Sequence, residues 1–186
     1  MAPEITFDAE GLPWLNLPGV YPTEDLPHTT EAARRALWHF KERDGEDSLA
    51  KSWGMKLASR LDKESQGQHS GMFLWLTEPL VPHALVFVEI HPAQGDAAST
   101  LPLLGGAPDG EPFSVPGLGD GARYRSTAQV RSGLFGKATR HVVRWVWRVE
   151  DLDLIVTLER EDAQSLARLL PDVETLLAAA TVTRAA

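Results

Sequence analysis

Cysteine is missing altogether, which excludes disulfide staples and thiolate metal sites and leaves the compartment undecided. Long hydrophobic runs are missing too: no stretch approaches the ~18 apolar residues of a membrane span. The opening MAPEITFDAEGLPWLNLPGV has three acids and no Lys or Arg, so it lacks the basic and apolar regions of a secretory signal, and the expected location is cytoplasmic. Cations are few. Eighteen Lys or Arg face 26 Asp or Glu, a net charge of −8. Affinity for phosphate polymers comes from clustered cations, so a general nucleic-acid binder is not expected.

What remains is ordinary globular material, 43% hydrophobic and 24% charged. At 186 residues it reads as a single α+β domain, residues 1–186, with two small subdomains as the alternative at this length. The charge is segregated. Residues 65–122 hold six acids and no Lys or Arg, whereas residues 123–149 hold seven Lys or Arg and no acid.

Residues 1–28 are proline-rich (Pro3, Pro13, Pro18, Pro22, Pro27), so beyond a short strand near Ile5–Phe7 they are expected to wrap the surface, pinned by Trp14, Leu15, Leu17 and Tyr21. Thr30 offers an N-cap for a helix over about 30–43, with Ala33, Ala36, Leu37 and Phe40 on one face and Gly45 after it. A second helix is expected over about 48–65, where Leu49, Trp53, Leu57 and Leu61 recur at four-residue steps; Gly54 within the stripe signals close packing. From Gly71 the period changes to that of strands, in GMFLWLTEPL and HALVFVEIH. Residues 93–122 read as a long loop.

The strongest strand pattern is RYRSTAQVR, TRHVVRWVWRVE and LDLIVTLER, an antiparallel meander near 123–160. With Glu150 and Asp151 as its second turn, Val149 faces Leu152, Arg148 faces Asp153 and Trp147 faces Leu154. A helix over about 162–180 carries Leu166, Leu169, Leu170, Val173, Leu176 and Leu177, and Pro171 is expected to kink or split it. TVTR closes as an edge strand. The whole reads as an antiparallel sheet flanked by helices.

Several constellations invite chemistry. Gly117, Gly119 and Ala122 match G-x-G-x-x-A, but a dinucleotide cradle needs a buried strand before the loop and a helix after it, and a strand follows. The three glycines at 117, 119 and 121 read instead as a tight turn at positive φ. His83, Glu89 and His91 share a strand face at even spacing, but a metal site would want a third ligand from elsewhere, so a structural role is expected and no metal. Ser70 beside His69 lacks the order of a nucleophile elbow. An enzyme would require a cleft gathering two or more of His83, Glu89, His91, His69 and Asp120. No catalytic residue and no cofactor is expected. Trp145 and Trp147 read as core, and Trp38 and Trp75 as core or the lining of a pocket or interface.

The arginines carry the functional expectation. Arg123, Arg125 and Arg131 fall on one side of their strand and Arg140, Arg144 and Arg148 on the polar side of the next; odd-sum pairing would gather all six on a common face, with Asp153 and Glu159 available opposite. Such a face can be solvated and ion-paired, covered internally by the acidic segment 65–122, or a docking surface for an acidic protein segment. The last gives the leading expectation, a non-enzymatic adaptor. A small-molecule or anion-binding pocket between sheet and helices, gated by 93–122, is the alternative.

PGLGDGARYRS, then VVRWVWRVEDLDLIVTLER, then LLPDVETLLAAATV give the C-terminal part, about 112–183, an order that resembles actinobacterial proteins of the PsbP-like type, including the LpqN-like lipoprotein group. The resemblance implies an antiparallel sheet flanked by helices and a non-catalytic, partner-binding or accessory role. It offers no catalytic residues. This chain departs from that group in having no lipidation cysteine and in placing a helical pair at 30–64 before most of the sheet.

Overall fold

A computed structural model of the chain describes residues 3–20, 23–25, 28–34, 36, 47–64, 69–76, 84–132 and 136–183. It is an α+β fold of antiparallel sheets and helices. Strands β1 (Glu4–Phe7) and β9 (Ala180–Thr183) form a two-stranded sheet. The others, β2 (Trp14–Pro18), β3 (Gly71–Trp75), β4 (Leu85–Pro92), β5 (Glu111–Val115), β6 (Gly119–Ser132), β7 (Gly136–Val149) and β8 (Leu152–Arg160), run in the order β2-β3-β4-β8-β7-β6-β5. The helices are α1 (29–34 and 36), α2 (Asp47–Glu64), α3 (Ala97–Gly105) and α4 (Ala163–Ala178). Backbone proximity divides the chain into two compact units, Pro13–Phe87 and Met1–Leu12 with Val88–Ala186.

In the Pro13–Phe87 unit the helical stripe is as the spacing demands: Trp53, Leu57 and Leu61 are buried against Leu17, Met72, Leu74, Leu85 and Phe87. Gly54 is buried beside them. Alanines 32, 33 and 36 put α1 onto the same cluster with little side-chain bulk between. The Thr29 hydroxyl donates to the Asp62 carboxylate, tying α1 to α2. α1 begins at residue 29, so Thr30 lies inside its first turn and does not cap it. Leu37, Trp38, Phe40 and the rest of the helix expected to residue 43 lie outside the described residues. The proline-rich N-terminal segment does more than wrap: Trp14–Pro18 pairs with β3, Trp14 opposite Trp75 and Leu17 opposite Met72. Proline is tolerated there because β2 is an edge strand of the seven-stranded order, with Pro18 at its end and Pro13 just before it.

In the other unit the second meander turn has the expected register, with Val149 opposite Leu152, Arg148 opposite Asp153 and Trp147 opposite Leu154. Glu150 takes φ 56°, the left-handed conformation of a two-residue hairpin turn. Trp145 and Trp147 are fully buried, as a core role requires. β1 and β9 pair through Ile5 and Val182, so both expected terminal strands exist and serve each other.

Two further expectations are revised. Residues 93–122 are not one loop: Asp96 caps α3 by accepting from the Ser99 amide, and β5 pairs with β6. The pattern is faint because α3 is short and β5 buries only Val115. The split expected at Pro171 does not occur: α4 runs through it as one helix, burying Leu166, Leu169, Val173, Leu176 and Leu177, and five apolar anchors outweigh the one backbone hydrogen bond that proline removes.

Candidate functional site

The glycine-rich stretch resolves first. Val115 pairs with Gly119 and Ser114 with Asp120, so Pro116–Leu118 is the tip of a β-hairpin with strand on both sides. No helix N-terminus follows to present free amides to a phosphate. Only Gly119 among the three has a positive φ, 82°. Gly117 and Gly121 are glycines for want of space: a Cβ on Gly117 would lie 1.9 Å from the Ala180 carbonyl oxygen, and one on Gly121 would lie 2.3 Å from the Trp147 ring. The turn reading stands, but its reason is close approach at two of the three positions.

Of the candidate catalytic groups, the structure brings Glu89 and His91 together. His91 Nε2 lies 3.3 Å from Glu89 Oε2 at a part-exposed strand end. His69 stacks on Phe87, with centroids 4.5 Å apart. Asp120 accepts from the Ser114 hydroxyl at 2.6 Å. His83 lies outside the described residues. Among the described residues no three metal-ligating groups cluster.

The arginines are divided differently from the expectation. β6 pairs with β7 in an even-sum register, Arg123 opposite Trp145 and Arg125 opposite Val143, with Arg131 at the position opposite Lys137. Directly opposed residues share a sheet face. Arg123, Arg125 and the Arg131 position therefore lie on the face of Trp145 and Trp147, while Arg140, Arg144 and Arg148 lie on the other. The common face of six does not form. The parity is fixed by the hairpin connection, Ser132 opposite Gly136, and a change of one residue there would invert it.

Three of the six are satisfied internally. Arg148 makes a bidentate pair with buried Asp153, Nε to Oδ1 2.8 Å and Nη2 to Oδ2 3.0 Å, and donates to the carbonyls of Gly95 and Gln94. The hydrogen bond to Asp153 raises its pKa above the ordinary arginine value, against an opposing effect of burial and with help from the charges of Asp153 and Asp96. Arg123 bridges Glu111 and Glu174 and lies over the Phe113 ring, 5.9 Å from its centroid. Burial disfavours its charge, but the hydrogen bonds to the two glutamates prevail and its pKa is also raised. In turn the hydrogen bond from Arg123, and then its charge, lower the pKa of Glu111. Arg140 pairs with Glu159 at 2.9 Å. The acidic segment 65–122 thus covers Arg123 and Arg148 in part, through residues 94, 95 and 111, alongside Glu174 and Asp153 from outside it. Half-buried Arg144 stands opposite Tyr124 and Thr157, beside Gly106.

Arg125 differs: its side chain is 48% exposed, and its Glu111 approach is only 4.0 Å. It stands where β5 gives out. The β5 ladder ends at Glu111 opposite Arg123, and the β8 ladder ends at Arg160 opposite His141. Beyond both points β6 and β7 pair only with each other among the described residues, from Ala128 opposite Arg140 to Ser132 opposite Gly136. That is a two-stranded ribbon ~13 Å long at ~3.3 Å per residue, and on β6 it is preceded by Arg125, Ser126 and Thr127, which have already lost β5. Its strands include Arg131, Lys137 and Arg140, and it contains no acid. Thr127, Ala128 and Gln129 are exposed. Sequence reasoning placed these strands but missed that they outrun their neighbours. The signal available was the polar run STAQ, which lacks the apolar alternation of a strand buried on one face.

No family model matches the chain, and no curated protein matches it. Among the described residues, no helix is long and apolar enough to cross a membrane.

Proposed function

We propose that this protein is a non-enzymatic adaptor that docks an acidic segment of a partner protein on the basic β6–β7 ribbon, with Arg125 and Arg131 as the leading contacts. The observation that supports this is the acid-free stretch 123–149 together with its division: Arg123, Arg140 and Arg148 are neutralised within the fold, Arg125 meets Glu111 only at 4.0 Å, and the Arg131 and Lys137 positions lie on a ribbon whose own strands hold no acid. Arginine suits carboxylates because its planar fork binds them in a bidentate way. A cytoplasmic setting and a PsbP-like, accessory character for residues 112–183 belong to the same reading.

Crosslinking pull-down at low salt, repeated at ~0.5 M salt, tests it, because exposed charge contacts are strongly screened at the higher value. The expected result is an acidic partner that is lost at high salt and lost with Arg125→Glu/Arg131→Glu, while the melting temperature of that variant stays within a degree or two of the parent. The captured protein, once purified, must bind the parent chain directly. Capture of the same proteins by parent and variant would overturn the reading.

A further inference from the structure

The ribbon has an edge as well as a charge. Over residues 125–132 the side of β6 away from β7 has no strand partner among the described residues, because β5 stops opposite Arg123. In an antiparallel ladder alternate residues turn their N–H and C=O groups outward, so this edge presents backbone donors and acceptors in register that no described strand takes up. Such edges are ordinarily blunted by proline, bulges or charge. β6 contains no proline, and the device left is positive charge, at Arg125 and Arg131 on one face. That device is selective. A second copy of β6 laid along the edge would bring arginine toward arginine, which disfavours pairing, whereas an acidic strand would gain from the same positions. A ribbon of two strands with little apolar cover is also only marginally stable alone, so a third strand adds both a ladder and an ordered arm.

From these features we infer that the partner binds by β-strand addition: an extended acidic segment pairs with the free edge of β6 over residues 125–132. This rests on the docking reading above and specifies its mode. The spacing sets the signature of the segment. Arg125 and Arg131 are six residues apart and share a face, so the matching strand carries acids an even number of residues apart, centred on a six-residue separation, with β-branched residues between. Backbone hydrogen bonds give the affinity, and the acids choose the register.

The test uses the full chain and a synthetic extended Thr/Val peptide bearing two glutamates six residues apart, alongside the same peptide N-methylated at alternate amides. Both carry the same charge, and only the first can complete a ladder. The expected result at low salt is binding of the parent peptide, slowed amide exchange over 125–132, and a loss of about tenfold or more on N-methylation, since the methyl groups remove the donors that complete the ladder. Equal binding of both peptides without slowed exchange, abolished by Arg125→Glu/Arg131→Glu, would overturn strand addition and leave acidic docking standing. No binding of the parent peptide would overturn both. Slowed exchange over 125–132 that grows with protein concentration in the absence of peptide would assign the edge to self-association and overturn the inference.

Discussion

Gly121→Ala tests the physical account of the glycine-rich turn directly. The added Cβ would meet the Trp147 ring at 2.3 Å and 2.5 Å and the Val146 carbonyl oxygen at 2.6 Å, each well inside van der Waals contact. Neither neighbour is free to retreat: Trp147 is fully buried, and Val146 belongs to the β6–β7 ladder. Overpacking of this kind costs ~1–3 kcal/mol, and with backbone among the obstacles the upper end applies, about 3 kcal/mol. For a chain of this size that lowers the melting temperature by roughly 6–12 °C. Gly117→Ala belongs with it, since its Cβ would strike the Ala180 carbonyl, and its damage should appear as faster amide exchange in β9 and β1. Gly119→Ala is the control. Its φ is positive, but nothing lies within 4 Å of its Cβ, so only left-handed strain of ~1 kcal/mol applies, roughly 2–4 °C. Thermal melts of the three variants, with Trp147→Leu and its double mutant with Gly121→Ala, form the assay. The double should cost less than the sum of the singles by on the order of 1 kcal/mol, because the leucine vacates the space the new methyl needs. If Gly119→Ala proves the most damaging, or if the double is additive, close approach is not why these glycines are there.

Two further outcomes follow from the charge arrangement. Arg148→Gln should lower the melting temperature while Arg125→Gln leaves it unchanged, because only the first strands a buried carboxylate, Asp153, and unfastens the carbonyls of residues 94 and 95. Hydrogen exchange should then rise at 94–100 in the Arg148 variant alone, and equal melts for the two would refute the division of arginines into tightly and weakly paired ones. Asp162, the N-cap of α4, has its pKa lowered chiefly by hydrogen bonds from Ser165, first its side chain and then its backbone amide, with the Gln164 amide adding to them. Its folded value lies below its unfolded one, so its stabilisation is present above the ordinary aspartate range and is lost as pH falls through the depressed value. The gap in stability between parent and Asp162→Ala should therefore be widest near neutral pH and close in acid; a gap that widens in acid would contradict this.

Elements buried on one side were the ones most clearly written in the chain. Trp53, Leu57 and Leu61 mark their helix because three large side chains at a constant step have one geometric explanation, and the structure buries all three. The β7–β8 register was readable for the same reason: with a short turn at Glu150, only one parity puts Trp147 against Leu154 and Arg148 against Asp153. Where burial is thin, legibility fails. α3 is held by an aspartate cap and by Leu101 and Leu104 against Tyr124, Val146 and Ile155, too few apolar anchors to give a period among so many glycines. The β6–β7 parity failed for a different reason. β6 from Ser126 onward has no apolar alternation to declare which face is inward, so the arginines were assigned a side by their own spacing alone.

That failure matters for function because parity decides what an arginine can touch. Had the six shared one face, two acids opposite them would have left a large unneutralised patch. The even-sum register instead sends Arg123 to Glu111 and Glu174 on one face, and Arg140 and Arg148 to Glu159 and Asp153 on the other. Those pairs end where the flanking strands end. Neutralising acids come from β5, β8 and α4, and beyond Arg123 and His141 neither β5 nor β8 continues the sheet. A strand that loses its neighbour therefore loses its backbone partner and its nearby source of acids at the same place. An added acidic strand would supply both at once, which is why edge and charge on the ribbon are better explained together than either is alone.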